Sequence, residues 1–337
     1  MSVKVAVTGC GIWGRNLVRN FYNLESLYSV CDMDSDILCK LTDEYEGVKC
    51  ICNFNEILGI DEINGVVIAT PSHTHYALTK KALEAGKHVY VEKPIATNSE
   101  EARELTELAE QKGLVLMVGH LLLYHPVVNR IKSLVNDGVL GKISYVQSDR
   151  LNVNYFRNDR SVLWDLAPHD LSMAAYILGK KPLAVEAASG CSVNNDGIVD
   201  ITHIDVKFED SILVHISDSW IHPVKRVELI VRGSKATVVF NDSFAQKQFE
   251  LYDNQTTEKK LLESPDYIEI EPLKLECQHF ISCIKNKVKP RSDGLNGYET
   301  VKILEEAEKI MLGNQYGKIS SIKLASSRKK QKNAPIL

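Results

Sequence analysis

The chain has 337 residues, of which 44% are hydrophobic and 25% charged, with a formal net charge of -4 at pH 7. That length suits two domains and that composition a soluble globular protein. The acidic balance argues against nucleic acid as a main partner, and no apolar run reaches the roughly 18–20 residues of a bilayer span, so no membrane contact is expected.

The opening MSVKVAVTGCGIWG runs straight into a structured pattern and lacks a cleavage site, so it is not read as a signal peptide. The first element is a strand over Val3–Val7. Gly9, Gly11 and Gly14 follow as G-x-G-x-x-G, and helical spacing then begins. The motif thus stands between strand and helix, the context its mechanism needs. The first glycine permits a tight turn, the second lets the backbone approach a pyrophosphate, and the third lets helix and strand pack closely. The helix N-terminus faces the phosphate charge. Ile12 and Trp13 complete this cofactor loop.

A second strand, SLYSVCD, ends at Asp32. An acid about 20 residues past the glycines accepts hydrogen bonds from the adenosine ribose hydroxyls and repels a 2′-phosphate. The next residues are Met33 and Asp34 rather than Arg, so NAD is preferred to NADP. The alternation goes on: GVVIATPSHTH is a strand over Gly65–Thr70 and a loop, HYALTKKALEAGK a helix, and HVYVEKPIA a strand and loop. SEEARELTELAEQKG is an amphipathic helix with Ser99 as its N-cap, and LVLMVGHLL is a strand. This pitch predicts a doubly wound parallel sheet, whose ligands bind beyond the carboxyl ends of its strands. Thr70, Pro71, His73, Glu92, Lys93, Pro94 and His120 fall at those ends; all but Pro94 are assigned, with His75, to the cofactor crevice.

The second half opens on VLWDLAPHDL. Proline is tolerated in the first turn of a helix, so Pro168 predicts a helix beginning near Asp165 as N-cap and ending at Gly179. The i, i+4 spacing puts Asp165 and His169 on one face. Alone, the two are a capping acid with a surface histidine, half of a metal site, or a proton-handling pair. A metal needs one or two more ligands, and His73, His75, His120 and His125 show no ligand motif, so no metal is expected. The β-rich runs PLAVEAASGCSV, DITHIDVKF, SILVHISDSW, KRVELIVRG, KATVVFN and KQFELYD follow, divided by turn signals such as NNDG, FEDS and RGSK. Two late helices, EPLKLECQHFISCIKN and GYETVKILEEAEKIML, are expected to pack back on the first half. Residues 326–337 read as a basic, solvated tail. The eight cysteines are scattered without a C-x-x-C pair, which fits reduced thiols and a cytoplasmic protein.

ATPSHTH, VEKP and WDLAPHD, in this order, resemble the glucose–fructose oxidoreductase / inositol dehydrogenase (Gfo/Idh/MocA) family over nearly the whole chain. The resemblance implies a Rossmann domain over residues 1–121 and an α+β domain over 122–325 with a large, mostly antiparallel sheet. The open face of that sheet forms subunit contacts in the family, which implies a homodimer or homotetramer. A closer resemblance, in LLYHP, DRLN, VLWDLAPHDLS and PLKLECQHFISCI, is to bacterial UDP-N-acetylglucosaminuronate 3-dehydrogenases. It implies NAD-dependent oxidation of the 3-hydroxyl of a UDP-N-acetyl-hexosaminuronate, for surface polysaccharide sugars. The alternatives are another sugar or polyol dehydrogenase or reductase of the family, an NAD-using glycosidase, or a silent NAD-sensing protein. Intact Lys93, Asp165 and His169 argue against the last.

Oxidising a secondary alcohol removes a hydride from carbon and a proton from oxygen, so the site needs a base and a donor facing the developing alkoxide. The resemblance implies Lys93 and His169 at the reacting hydroxyl, with Asp165 beside them. His169 is assigned as proton acceptor, Lys93 as the group polarising the oxygen, and Asp165 as the carboxylate orienting the imidazole; Lys93 and His169 are interchangeable in this scheme. Glu92 is read as a partner for a cation or the nicotinamide ribose, and Pro94 as fixing its loop, with the peptide isomer open. A nucleotide sugar acid carries a diphosphate and a carboxylate, both suited to arginine forks. Arg150, Arg157 and Arg160 precede the helix, with Asn152 and Asn154 interleaved, and Tyr124 and His125 follow the last Rossmann strand. Trp164 and Tyr155 are offered as walls for the sugar, although an aromatic at a helix start more often belongs to a core.

Overall fold

The structure is a computed structural model. It describes residues 2–153, 161–193, 198–243, 248–255, 260–263 and 270–322, with residues 260, 262, 263 and 314–322 described by backbone alone.

The first half runs β1 (Val5–Thr8), α1 (Gly14–Asn23), β2 (Leu27–Cys31), α2 (Ser35–Glu44), β3 (Lys49–Ile51), α3 (Phe54–Leu58), β4 (Gly65–Ile68), α4 (His75–Glu84), β5 (His88–Glu92), α5 (Ser99–Lys112) and β6 (Leu116–Gly119). Every residue of β1, β4 and β6 is buried, as expected of parallel strands covered by helices on both faces. The strands pair in the order β3-β2-β1-β4-β5-β6, and every pairing is parallel. The order reverses between β1 and β4, which opens a crevice at the carboxyl ends. The N-cap of α5 is Asn98, whose side chain accepts from Glu101 N at 2.9 Å. Ser99 was expected in that role; its hydroxyl instead donates to Glu305.

The second half runs α6 (Pro126–Asn136), β7 (Ile143–Leu151), α7 (Val162–Leu178), β8 (Pro182–Cys191), β9 (Ile201–Phe208), β10 (Leu213–Ser219), β11 (Arg226–Gly233), β12 (Ala236–Asn241), β13 (Gln248–Asp253), β14 (Lys260–Glu263), α8 (Pro272–Asn286) and α9 (Gly294–Ile322). Among the described residues its sheet has eight strands, in the order β14-β13-β12-β11-β7-β10-β9-β8. Only β7 with β10 is parallel, and the other pairings are antiparallel. A Rossmann sheet followed by a large, mostly antiparallel one is the expected fold class. The two-residue period sends Val146, Val206, Val214, Leu229 and Val238 to one face, where they form a single core with Leu163, Ala167 and Leu171 of α7 and Ile303, Leu304 and Ala307 of α9. The opposite face presents Tyr145, Gln147, His203, His215, Glu228 and Arg232, all half-buried or exposed. Among the described residues no helix is long and apolar enough to cross a membrane.

α8 lies against α1: Phe280 meets Phe21 edge-on at 6.4 Å, and Arg19 reaches Glu271 at 2.5 Å. The α8–α9 connection adds to the edge of β6, where Val118 N–H donates to Ser292 O at 2.7 Å. The turn signal NNDG and the basic tail lie outside the described residues.

α7 differs from its expected form. It begins at Val162, so Pro168 lies inside the helix and Asp165 in its first turn, not at the cap. Pro168 lacks an N–H, which leaves the Trp164 carbonyl without its helical donor. Packing outweighs that loss, because Val162, Leu163, Leu166, Ala167, Leu171 and Ala174 are all buried along the helix and tertiary burial is the main source of helix stability.

Candidate active site

The loop after β1 is set by backbone contacts. Gly9 has φ +85, and a Cβ there would stand 2.7 Å from the backbone of Ala69 and Thr70; a Cβ on Gly14 would stand 1.8 Å from Gly9 O. Neither position accepts a side chain. Gly11 has nothing within 4 Å of its would-be Cβ, so open space lies beside its backbone at the N-terminus of α1. These residues fit a dinucleotide pyrophosphate. At the end of β2, Asp32 accepts from Cys10 N at 2.6 Å and from Asp34 N at 3.0 Å. This ties the glycine loop to the strand and holds a carboxylate where an adenosine ribose would sit. Burial, and then Asp32, push the Cys10 thiol up to about 12, so that cysteine is no nucleophile. Ile12 and Trp13 of the same loop are exposed.

After β4, Thr70 Oγ1 and Thr74 Oγ1 are 2.6 Å apart, and Pro71 and His73 are exposed. His75 is buried, with its ring nitrogens 2.7 Å from Pro94 O and 2.8 Å from Thr70 O. It straps the loop after β4 to the loop after β5 from beneath. Both nitrogens face backbone carbonyls.

The Lys93–Pro94 bond is cis. Lys93 Nζ donates to Asp165 O at 2.6 Å and to Asp165 Oδ1 at 3.3 Å, with both side chains largely buried. The Asp165 carboxylate, proposed to orient the imidazole, stands against Lys93. One turn along α7, His169 is half-buried, and its Nδ1 has no hydrogen-bond partner among the described residues. Burial, followed by Lys93, Arg150 and His120, holds the His169 pKa well below the ordinary imidazole value. His120, at the end of β6, is fully buried with both ring nitrogens unpartnered among the described residues. Burial, and then Lys93, lower its pKa to about 3. Lys93, His169 and His120 therefore lie near one another beyond the ends of β5 and β6, and buried nitrogens without partners are unusual outside functional sites. Among the described residues no group of three or more His, Cys, Asp or Glu is arranged to hold a metal ion.

Several residues offered for substrate have other work. Arg150 grips Asp170 with both arms of its fork, Nε to Oδ2 at 3.1 Å and Nη2 to Oδ1 at 2.9 Å, and Ser148 donates to the same carboxylate at 2.6 Å. It is a structural ion pair beneath α7. Tyr124 is buried in the core under α8, edge-on to His279 at 5.5 Å. Trp164 donates from Nε1 to Glu308 at 3.0 Å and joins α7 to α9. The Asn152 backbone pairs with Ser219 and His222, and its side chain is half-buried. His125 caps α6 by accepting from Val127 N at 3.2 Å. Arg157, with Asn154, Tyr155 and Arg160, lies outside the described residues.

Sequence reasoning missed a set of buried carboxylates. Asp218 stands opposite Arg150 in the β10–β7 register. Both its oxygens are buried without partners among the described residues, and burial, then Asp170, push its carboxyl well up. Glu276 on α8 is equally buried, and its carboxyl is raised by burial and then by Glu92. Position in the chain gave no signal for either, because each is brought inward by tertiary packing.

Comparison with known proteins agrees with this fold. Residues 3–120 match the oxidoreductase family, NAD-binding Rossmann fold (GFO_IDH_MocA), and residues 128–239 match the GFO/IDH/MocA C-terminal domain. UDP-N-acetylglucosamine 3-dehydrogenase of Acidithiobacillus ferrooxidans is 25% identical over 241 residues, covering 71% of this chain and 74% of that protein. Its solved structure superposes with TM-score 0.82 over 93% of this chain and 99% of that one, at 21% identity. D-apiose dehydrogenase of Paraburkholderia graminis is 23% identical over 330 residues, 90% of this chain and 86% of that protein. A 3-ketoreductase from Actinomadura kijaniata, solved with TDP-benzene and NADP, gives TM-score 0.78 at 18% identity over 92% and 98% of the two chains. At these identities the structural likeness shows a shared fold. The two family matches together span more than half of the chain, and it belongs to the GFO/IDH/MocA family of NAD-binding oxidoreductases.

Proposed function

We propose that the protein oxidises the 3-hydroxyl of a UDP-N-acetylhexosamine, with UDP-N-acetylglucosaminuronate as the first substrate to test and NAD as the hydride acceptor. The observation behind this reading is the contact of Lys93 with Asp165 beside His169, at the mouth of a dinucleotide crevice. A bound nicotinamide supplies the acceptor for the hydride. Asp165 fixes the Lys93 amine through its carbonyl and carboxylate, so the amine points at one place and stabilises charge on the substrate oxygen. Burial, then Lys93, hold the His169 pKa below the ordinary imidazole value, which favours the unprotonated form that takes the hydroxyl proton. Asp32 favours NAD over NADP through its negative charge at the ribose position.

The sugar rests on other support. The relative at 25% identity is named for UDP-N-acetylglucosamine. The uronate rests on the LLYHP and DRLN segments. With Arg150 engaged by Asp170, a uronate carboxylate is left to Arg157 or Arg160. The setting that goes with this reading is cytoplasmic synthesis of surface-polysaccharide sugars, by a homodimer or homotetramer joined through the polar face of the second sheet.

The test is a parallel assay with NAD and UDP-N-acetylglucosaminuronate, UDP-N-acetylglucosamine, free N-acetylglucosamine and inositol. NADH is followed by absorbance, with one run at enzyme equal to substrate so that a cofactor recycled on the protein is still seen. Turnover of the UDP sugars, fastest with the uronate, is expected. Turnover of a free polyol with neither UDP sugar reacting would remove the nucleotide-sugar reading.

A further inference from the structure

Trp13, in the glycine loop, reaches across the crevice. Its indole Nε1 donates to Glu92 Oε1 at 2.5 Å, joining the loop after β1 to the end of β5. The residue is 40% exposed, and a large aromatic left open in a cofactor loop is an available stacking surface. Its position follows from the sheet order. The pyrophosphate belongs beside Gly11 and the adenosine ribose beside Asp32 at β2, so the other half of the dinucleotide runs the opposite way, past β4 toward β5. That is the path Trp13 spans.

Glu92 is built in as the anchor for this indole. It is buried. Tyr90 Oη donates to the same Oε1 at 3.2 Å. Gly119 on the neighbouring strand leaves room for the carboxylate: a Cβ there would lie 2.9 Å from its atoms. The Tyr90 hydrogen bond and the space at Gly119 hold the Glu92 carboxylate toward Trp13.

We infer that Trp13 is the wall of the nicotinamide end of the cofactor site, and that Glu92 is a positioning residue which sets the angle of that wall by accepting its N–H. The inference deepens the dinucleotide reading of the crevice and rests on it. Trp13 adds stacking area only where the nicotinamide lies, so its contribution belongs to NAD and not to the ADP-ribose portion.

The experiment is calorimetric titration of the full-length protein with NAD and, separately, with ADP-ribose, which lacks the nicotinamide. Trp13→Phe keeps a ring but loses the N–H, Glu92→Ala loses the acceptor, and Glu92→Gln keeps a carbonyl acceptor. Trp13→Phe and Glu92→Ala should each weaken NAD binding about five- to tenfold, with ADP-ribose affinity unchanged and Glu92→Gln close to the parent. The double variant should be no weaker than the worse single one, since both remove one bond. NAD affinity unchanged in Trp13→Phe, or NAD and ADP-ribose weakened alike, overturns the inference. Failure of the parent to bind either ligand would instead sink the dinucleotide reading itself.

Discussion

Lys93 Nζ lies 2.6 Å from the backbone carbonyl of Asp165 and 3.3 Å from its carboxylate. The contact joins the loop after the fifth strand of one sheet to a helix packed on the other, so the amine is aimed by both halves of the protein. Lys93→Met, similar in length but uncharged, should lower turnover by about 10²-fold or more while NAD affinity stays within twofold. Asp165→Asn keeps the carbonyl contact and should cost less, about tenfold, as loss of one charge-assisted hydrogen bond. Turnover and NAD titration of both variants check this, and near-normal turnover in Lys93→Met would remove Lys93 from the chemistry.

His169 gives a pH prediction. Burial, then Lys93, hold its pKa well below the ordinary imidazole value in the free protein. A base works when unprotonated, so the acid limb of kcat/KM should fall below the ordinary histidine pKa, near 6.5. His169→Asn should lose turnover by about 10²-fold and lose that acid limb. An acid limb centred at or above 6.5 in the parent contradicts the assignment. Lys93 titrates in the same site, so the limb belongs to the group as a whole until the variant is measured.

Arg150 separates a structural from a binding role. Its fork is closed on Asp170, which is fully buried. Removing one partner of a buried pair costs about 3–5 kcal/mol, because the other charge is left uncompensated. Arg150→Ala should therefore lower the unfolding midpoint strongly and lose activity through loss of folded protein. A variant with parental stability and a selectively raised KM for substrate would return Arg150 to the binding site.

Glu276 gives a stability prediction. Burial, then Glu92, raise its carboxyl well above its usual value. The native state keeps a proton that the unfolded chain releases above about pH 4.3, so this group's contribution weakens as pH rises from there toward the native pKa. Glu276→Gln keeps the shape and cannot ionise. It should raise Tm at pH 7 by roughly 2 °C or more, the shift that about 1 kcal/mol produces in a chain of a few hundred residues, with little gain at pH 4. Thermal melts at the two pH values measure this. Equal gains at both, or a loss at pH 7, contradict it.

The legible parts of the chain were those whose cause is local. Gly9 and Gly14 stand where a Cβ would strike backbone, and Asp32 directly follows β2; spacing alone announces such features. Strand and helix alternation gave the Rossmann order, and the two-residue period gave the second sheet. What failed depends on contacts distant in sequence. Pro168 reads as a helix start, yet α7 extends past it because its surroundings are apolar. Arg150 reads as a free fork, because the 20 residues to Asp170 say nothing of β7 lying under α7. His75, Tyr124 and Trp164 have the chemistry of a site, but His75 is engaged by carbonyls and the two aromatics by packing and Glu308. Glu276 belongs to the last helices, and only the return of α8 onto the first sheet brings it behind Glu92.

The central claim is that a hydride leaves carbon 3 of a nucleotide-linked sugar for the cofactor held in this crevice. The direct measurement is a reaction of the purified protein with NAD and UDP-N-acetylglucosaminuronate carrying deuterium at carbon 3, followed by mass spectrometry of both products. The account predicts singly deuterated NADH, with a sugar nucleotide that has lost the label and become a ketone. NADH without deuterium, formed while the label stays in the oxidised sugar, would show that the hydride leaves another carbon and would contradict it.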